Sequence, residues 1–207
     1  MEIIAEKIRT NFEAKSKVRD ETLRLSRQLI RHCANAIRAT HRSEFENATG
    51  LLVTAKALAS EMVDGVADYA DLYHAGYTQD ALKEFAEASI TYALITDRPL
   101  PDPDELGVEY AAYLNGLGEA AGELRRHVLD IIRYGELERG EKVLSMMDDI
   151  YGVLVTIDFP NAITGGLRRT TDMVRGVLER TRGDLTMSLR QEKLQQALRG
   201  FEERVNG

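Results

Sequence analysis

Two short stretches hold glutamates in settings where glutamate is uncommon. In ALKEFAEASITYALIT, residues 81–96, Glu87 is the only charged residue between Phe85 and Thr96, and Glu84 precedes it by one turn. In AAYLNGLGEAAGEL, residues 111–124, the only charges are Glu119 and Glu123. Spacings of i,i+3 and i,i+4 each put both carboxylates on one face of a helix. Glutamate is seldom buried unless it is paired or bound to a metal. If the two helices face each other, four carboxylates converge and repel, which calls either for bound protons or for a cation. An all-oxygen donor set suits Mg²⁺, Mn²⁺ or Ca²⁺ rather than a soft metal. Magnesium held by few carboxylates keeps several waters, and one of them can be activated to attack a phosphodiester.

Other readings of the same residues stay open. Arg125 and Arg126 directly follow Glu123 and offer ion pairs, and a helix face turned to water needs no partner. A ferritin-like di-iron centre would use Glu-x-x-His, which this chain lacks; His127 lies four residues after Glu123, and His32, His41 and His74 are remote in sequence. TGGLRRTT, residues 164–171, lacks the lysine and spacing of a phosphate-binding loop, and its glycine pair reads as the start of a helix. There is no Gly-x-Ser-x-Gly nucleophile elbow.

The elements that must position these residues are helices. Of four prolines, three fall in DRPLPDPDELG, residues 97–107, and Pro160 marks a second break. No alternating run bounded by turn residues predicts a strand. The apolar periodicity predicts helices over about 2–39, 43–69, 79–96, 108–134, 138–157, 163–181 and 187–205, with short joints at YGELERG and TRGD. The expectation is an all-α bundle of about seven antiparallel helices forming one domain over residues 1–207. Gly116, Gly118 and Gly122 each weaken the fourth long helix by about 1 kcal/mol, a cost more easily tolerated where a backbone or ligand comes close.

Charge is distributed unevenly. The chain's net charge is −7, yet residues 1–43 hold ten basic and five acidic side chains, while residues 61–160 hold seven and 21. Lys17, Arg24, Arg31 and Arg38 recur every seven residues with Arg27 beside them, a stripe roughly 30 Å long at helical rise. Such a stripe can track the phosphates of a nucleic acid, or it can pair with the acidic middle of the same chain. Tyr69, Tyr73 and Tyr77 are candidates for base stacking or for packing. One cysteine, Cys33, excludes an internal disulfide and any multi-cysteine zinc site, and its apolar flanks predict a buried thiol. No apolar stretch reaches the roughly 18 residues of a membrane span, and the N-terminus lacks the pattern of a secretory signal, so the expected setting is cytoplasmic.

Taken together, several stretches resemble the translin family, in the branch of translin-associated factor X and its archaeal relatives. KVRDETLRLSRQLIRHCANAIRATHR, residues 17–42, is similar to the family's N-terminal basic helix. ALKEFAEA, residues 81–88, is similar to its glutamate helix, YLNGLGEAAGELRR, residues 113–126, to its Gly-Glu-Leu segment, and LRRTTDMVRGVLERTRGDL, residues 167–185, to its closing helix. The resemblance implies a hollow, roughly octameric shell that binds single-stranded RNA or DNA, with a metal-dependent endoribonuclease on its inner surface. It implies Glu84, Glu87, Glu119 and Glu123 as the catalytic, Mg²⁺- or Mn²⁺-binding set, Glu119 standing where an aspartate is expected. Lys17, Arg24, Arg27, Arg31, Arg38, Arg125 and Arg126 are the candidate phosphate contacts. A shell that binds single strands without cutting them is the alternative.

Overall fold

The computed structural model describes residues 1–206, and among them every regular element is a helix. In chain order these are α1 (Glu2–His41), α2 (Phe45–Gly65), α3 (Ala70–Tyr73), α4 (Gly76–Ile95), α5 (Pro103–Leu106), α6 (Tyr110–Tyr134), α7 (Leu137–Thr156), α8 (Asn161–Thr164) and α9 (Leu167–Asn206). The all-α class expected from the sequence is the class observed. The helix count differs in two ways. One-turn helices α3, α5 and α8 occupy segments read as helix ends or loops, and the two helices expected after residue 163 are one. Among the described residues no helix is long and apolar enough to cross a membrane.

Two compact units organise the chain. The first comprises Met1–Leu117 with Ala162–Gly165, and the second comprises Gly118–Asn161 with the chain from Gly166 onward. In the first, α4 is the central helix and packs against α1 and α2. Thirteen of its twenty residues are buried, including all of Phe85–Ala93, so it is sheathed on every side rather than amphipathic. Leu25, Leu29, Cys33 and Ala36 of α1 and Ala55, Ala59 and Met62 of α2 supply the facing core. Two of the small polar residues in this core satisfy themselves locally: Ser89 Oγ donates to the Phe85 carbonyl at 2.8 Å, and Thr78 Oγ1 to the Leu72 carbonyl at 2.7 Å. The proline loop carries α5, opened by a capping box in which Asp102 accepts from the Glu105 amide at 2.7 Å while Glu105 accepts from the Asp102 amide at 3.2 Å. Gly107, at φ 68°, then closes that turn before α6 begins.

In the second unit α7 packs along α9. The TRGD segment, expected as a joint, is helical. Thr181 Oγ1 donates to the Val177 carbonyl at 2.8 Å, and Leu185 is fully buried with its methyl where a Cβ on Gly140 would meet it at 2.9 Å. A single interior glycine costs a helix about 1 kcal/mol, and these contacts override it. The YGELERG joint is real: Gly135, at φ 76°, ends α6. Gly165 and Gly166, at φ 61° and 86°, lead into α9 as the sequence pattern predicts.

Candidate functional site

Glu84 and Glu87 lie one turn apart in the first half of α4. Burial of this helix carries Glu87 to 9% exposure, unusually low for a carboxylate. The Glu84 side chain keeps 29% of its surface, and the Lys83 ammonium stands 3.8 Å from its Oε1. Lys83 escapes spacing rules, because neighbours in a helix sequence do not share a face.

The first turns of α6 lie directly on this part of α4. An ideal Cβ on Gly116 would fall 2.7 Å from the Lys83 carbonyl oxygen, 3.0 Å from the Glu87 amide nitrogen and 3.0 Å from the Ala86 methyl. Three residues further along the unbroken α6 stands Glu119. Glu84, Glu87 and Glu119 each offer one carboxylate oxygen within 4.8 Å of the others, and all three are partly shielded from water. This is the one group of three or more possible metal-ligating side chains among the described residues, and it contains no histidine. Its donors are all carboxylate oxygens, which fits a hard divalent cation such as Mg²⁺ or Mn²⁺ and does not fit a di-iron centre of the Glu-x-x-His kind.

Glu123, the fourth anticipated acid, is not in that group. It lies one turn beyond Glu119 on α6 and its Oε2 is 3.9 Å from Arg126. Cys33, the buried thiol expected from the sequence, is fully enclosed. Burial, together with the nearby charges of Glu84 and Glu87, pushes it up to about 12, so it stays a neutral thiol and is not a nucleophile at neutral pH.

The anticipated phosphate contacts divide into two kinds. Lys17, Arg24, Arg27, Arg31 and Arg38 are all exposed on α1. Arg24 binds both oxygens of Glu21, at 2.8 and 2.5 Å, which holds that carboxyl below its usual range. Arg38 donates to the Asn35 side chain. Among the described residues Lys17, Arg27 and Arg31 make no ion pair. Arg125 is committed within the second unit, 2.8 Å from Asp184 and 3.2 Å from the Thr181 hydroxyl. Arg126 is exposed. Of the tyrosines, Tyr73 donates to Glu109 at 2.9 Å, an internal tie rather than a stacking platform, and burial with that acceptor pushes its hydroxyl up to about 12.

Comparison with known proteins follows the same lines. No family model matches the chain. An uncharacterized protein of Methanocaldococcus jannaschii is 31% identical over 186 residues, spanning 89% of this chain and 82% of that one. The crystal structure of AfC3PO superposes with a TM-score of 0.83 at 31% identity, covering 91% of this chain and 97% of that one. AfC3PO in complex with duplex RNA gives 0.78 at 31%, covering 91% and 96%. Apo-NeC3PO, at 22% identity and a TM-score of 0.81 over 89% and 96% of the two chains, shares the fold. With that identity over almost the whole of AfC3PO and the same all-helical architecture, the chain belongs to the translin family, on the branch of translin-associated factor X that archaeal AfC3PO represents.

Proposed function

We propose that this protein is a Mg²⁺- or Mn²⁺-dependent endoribonuclease that binds and cleaves single-stranded RNA within a homo-oligomeric shell. The observation that carries the reading is the approach of the Glu84, Glu87 and Glu119 carboxylates to within 4.8 Å of one another, all of them shielded from water to some degree. Beside the Lys83 ammonium, 3.8 Å from Glu84, three carboxylates this close favour a bound cation. These three residues would hold the ion, which supplies charge neutralisation and a water of lowered proton affinity at neutral pH. Glu123, one turn away on α6, would serve as a fourth ligand or as the general base that orients and deprotonates an attacking water. Arg27 and Arg31, with Lys17, Arg24 and Arg38 on the same helix and Arg126 near Glu123, would bind the phosphates. Arg125 would act only after leaving Asp184.

RNA binding is supported by the RNA held by the AfC3PO relative, and self-assembly by apolar residues exposed on α1 and α9. An octamer and single-stranded DNA as a second ligand extend the same reading. The same RNA complex favours one rival, a shell that binds nucleic acid without cutting it.

Cleavage of end-labelled RNA separates the two. Wild type and Glu87→Ala, purified identically, are compared on single-stranded and duplex substrates with Mg²⁺, with Mn²⁺ and with chelator. Metal-dependent cutting by the wild type alone, with RNA binding retained in the variant, is the expected result. Binding by both without cutting by either would leave the non-catalytic shell. Equal cutting by both would assign the products to a contaminating nuclease.

A further inference from the structure

We propose that Gly116 is the positioning residue of the carboxylate group: its missing side chain sets the separation of α6 from α4 at which Glu119 can share one cation with Glu84 and Glu87. The inference rests on the metal reading above and concerns how that metal affinity is set.

Three distances locate the crossing. The Lys83 carbonyl and the Glu87 amide, the nearest atoms to a Cβ at Gly116, belong to one i→i−4 rung of α4, and that rung brackets Glu84 and ends at Glu87. Backbone is therefore what a side chain at 116 would strike. At 2.7 Å from a carbonyl oxygen the overlap is not relieved by turning a flexible side chain, so the helices themselves must separate by several tenths of an ångström. Ala86, whose methyl is the third neighbour, is fully buried and has nowhere to withdraw. Binding groups need to be held within about 0.5 Å of their working geometry. Any added separation at Gly116 is applied three residues from Glu119, less than one turn along a rigid helix.

Neighbouring glycines show that this is particular to the position. Gly122, on the same helix, and Gly50, in α2, have nothing within 4 Å of an added Cβ. Gly118 faces the methyl of Thr170, the end of a side chain rather than backbone. Glycine in a helix interior is costly, and Gly116 returns that cost as close approach of two backbones.

The test is Mn²⁺ binding, read by electron paramagnetic resonance of free and bound Mn²⁺, beside RNA affinity and thermal midpoint. Variants are Gly116→Ala, Gly50→Ala as the open control, and Glu87→Gln as the ligand control. Wild type is expected to bind Mn²⁺ and Glu87→Gln to lose it. Gly116→Ala is expected to raise the Mn²⁺ dissociation constant about tenfold or more, the range in which supports of metal ligands act, with RNA affinity unchanged. Gly50→Ala should match the wild type. Undiminished Mn²⁺ affinity in folded Gly116→Ala overturns the positioning role while leaving the metal site intact. A lowered thermal midpoint with unchanged Mn²⁺ affinity of the folded protein does the same, since it marks a purely structural residue. Absence of Mn²⁺ binding by the wild type overturns both this inference and the metal reading. Should Gly116→Ala not fold, Ala86→Ser puts one added atom at the same crossing from the α4 side. Weakened Mn²⁺ binding there supports the proposal, and unchanged binding overturns it.

Discussion

Arg24, Arg27 and Arg31 occupy successive turns of α1, yet their surroundings give them different weight. Arg24 is held by Glu21 through two hydrogen bonds of 2.8 and 2.5 Å, whereas Arg27 and Arg31 are exposed without an ion pair among the described residues. A cation already neutralised by its neighbour releases fewer counterions when a phosphate arrives. Each genuine phosphate contact to a single strand steepens the dependence of log K on log salt by about 0.7. Arg27→Ala and Arg31→Ala should each shallow that slope by about this amount, and Arg24→Ala by clearly less, as read by fluorescence anisotropy of a labelled RNA across a salt series. Equal slopes for all three variants would mean that Glu21 leaves Arg24 when RNA binds. Sequence spacing placed the stripe on one helix face correctly, because a seven-residue recurrence survives in any regular helix. Spacing is blind to pairing, as Arg125 shows: its partners Asp184 and Thr181 lie more than fifty residues away in the chain.

Among the elements, α9 departs most from its sequence pattern. Thr181–Asp184 reads as a joint because it combines a glycine with an aspartate and no apolar residue, and turn chemistry is judged locally. What keeps the helix continuous is remote: Leu185 packs at Gly140, and Thr181 and Asp184 both meet Arg125. Gly183 therefore sits in a helix interior with nothing within 4 Å of an added Cβ. Gly183→Ala should raise the unfolding free energy by about 1 kcal/mol, measured by urea denaturation. A destabilised variant would restore the joint. The breaks that the sequence did reveal, at Gly135 and in the proline loop, are those whose cause is local: a positive φ of 76° in one case, and proline with a capping box in the other. The same rule governs the site. Carboxylate pairs at i,i+3 and i,i+4 are legible in one helix, but which acids meet across helices is not. Carboxylate oxygens of Glu84, Glu87 and Glu119 lie within 4.8 Å of one another, and of the three glycines that hinted at a close approach Gly116 is the one that faces the α4 backbone.

For the molecule as a whole, α1 and α9 raise a question of company. Each is 40 residues long, about 60 Å of helix. The first turns of α1 expose Ile4, Ile8 and Phe12 at 60, 48 and 65%, an i,i+4,i+8 stripe, and the last turns of α9 expose Leu194, Leu198, Phe201 and Val205. Apolar stripes of this kind mark interaction surfaces. Replacing Ile4, Ile8 and Phe12 together by Ser should lower the mass measured by light scattering after gel filtration, while Leu100→Ser, an isolated exposed residue in the proline loop, should not. An unchanged mass would move the assembly surface away from α1. Composition alone could not have located these surfaces, since the overall charge of −7 conceals a basic α1 and an acidic middle.

The enclosure of Cys33 has a consequence for such an assembly. The only thiol of the chain is sealed in the core of the first unit, so neighbouring copies have no means of forming a disulfide with one another while they stay folded. Whatever holds copies together is then non-covalent and answers to concentration. Subunits of such an assembly can be traded, and one reconstituted from wild-type and Glu87→Ala copies would carry the two in the ratio in which they were mixed.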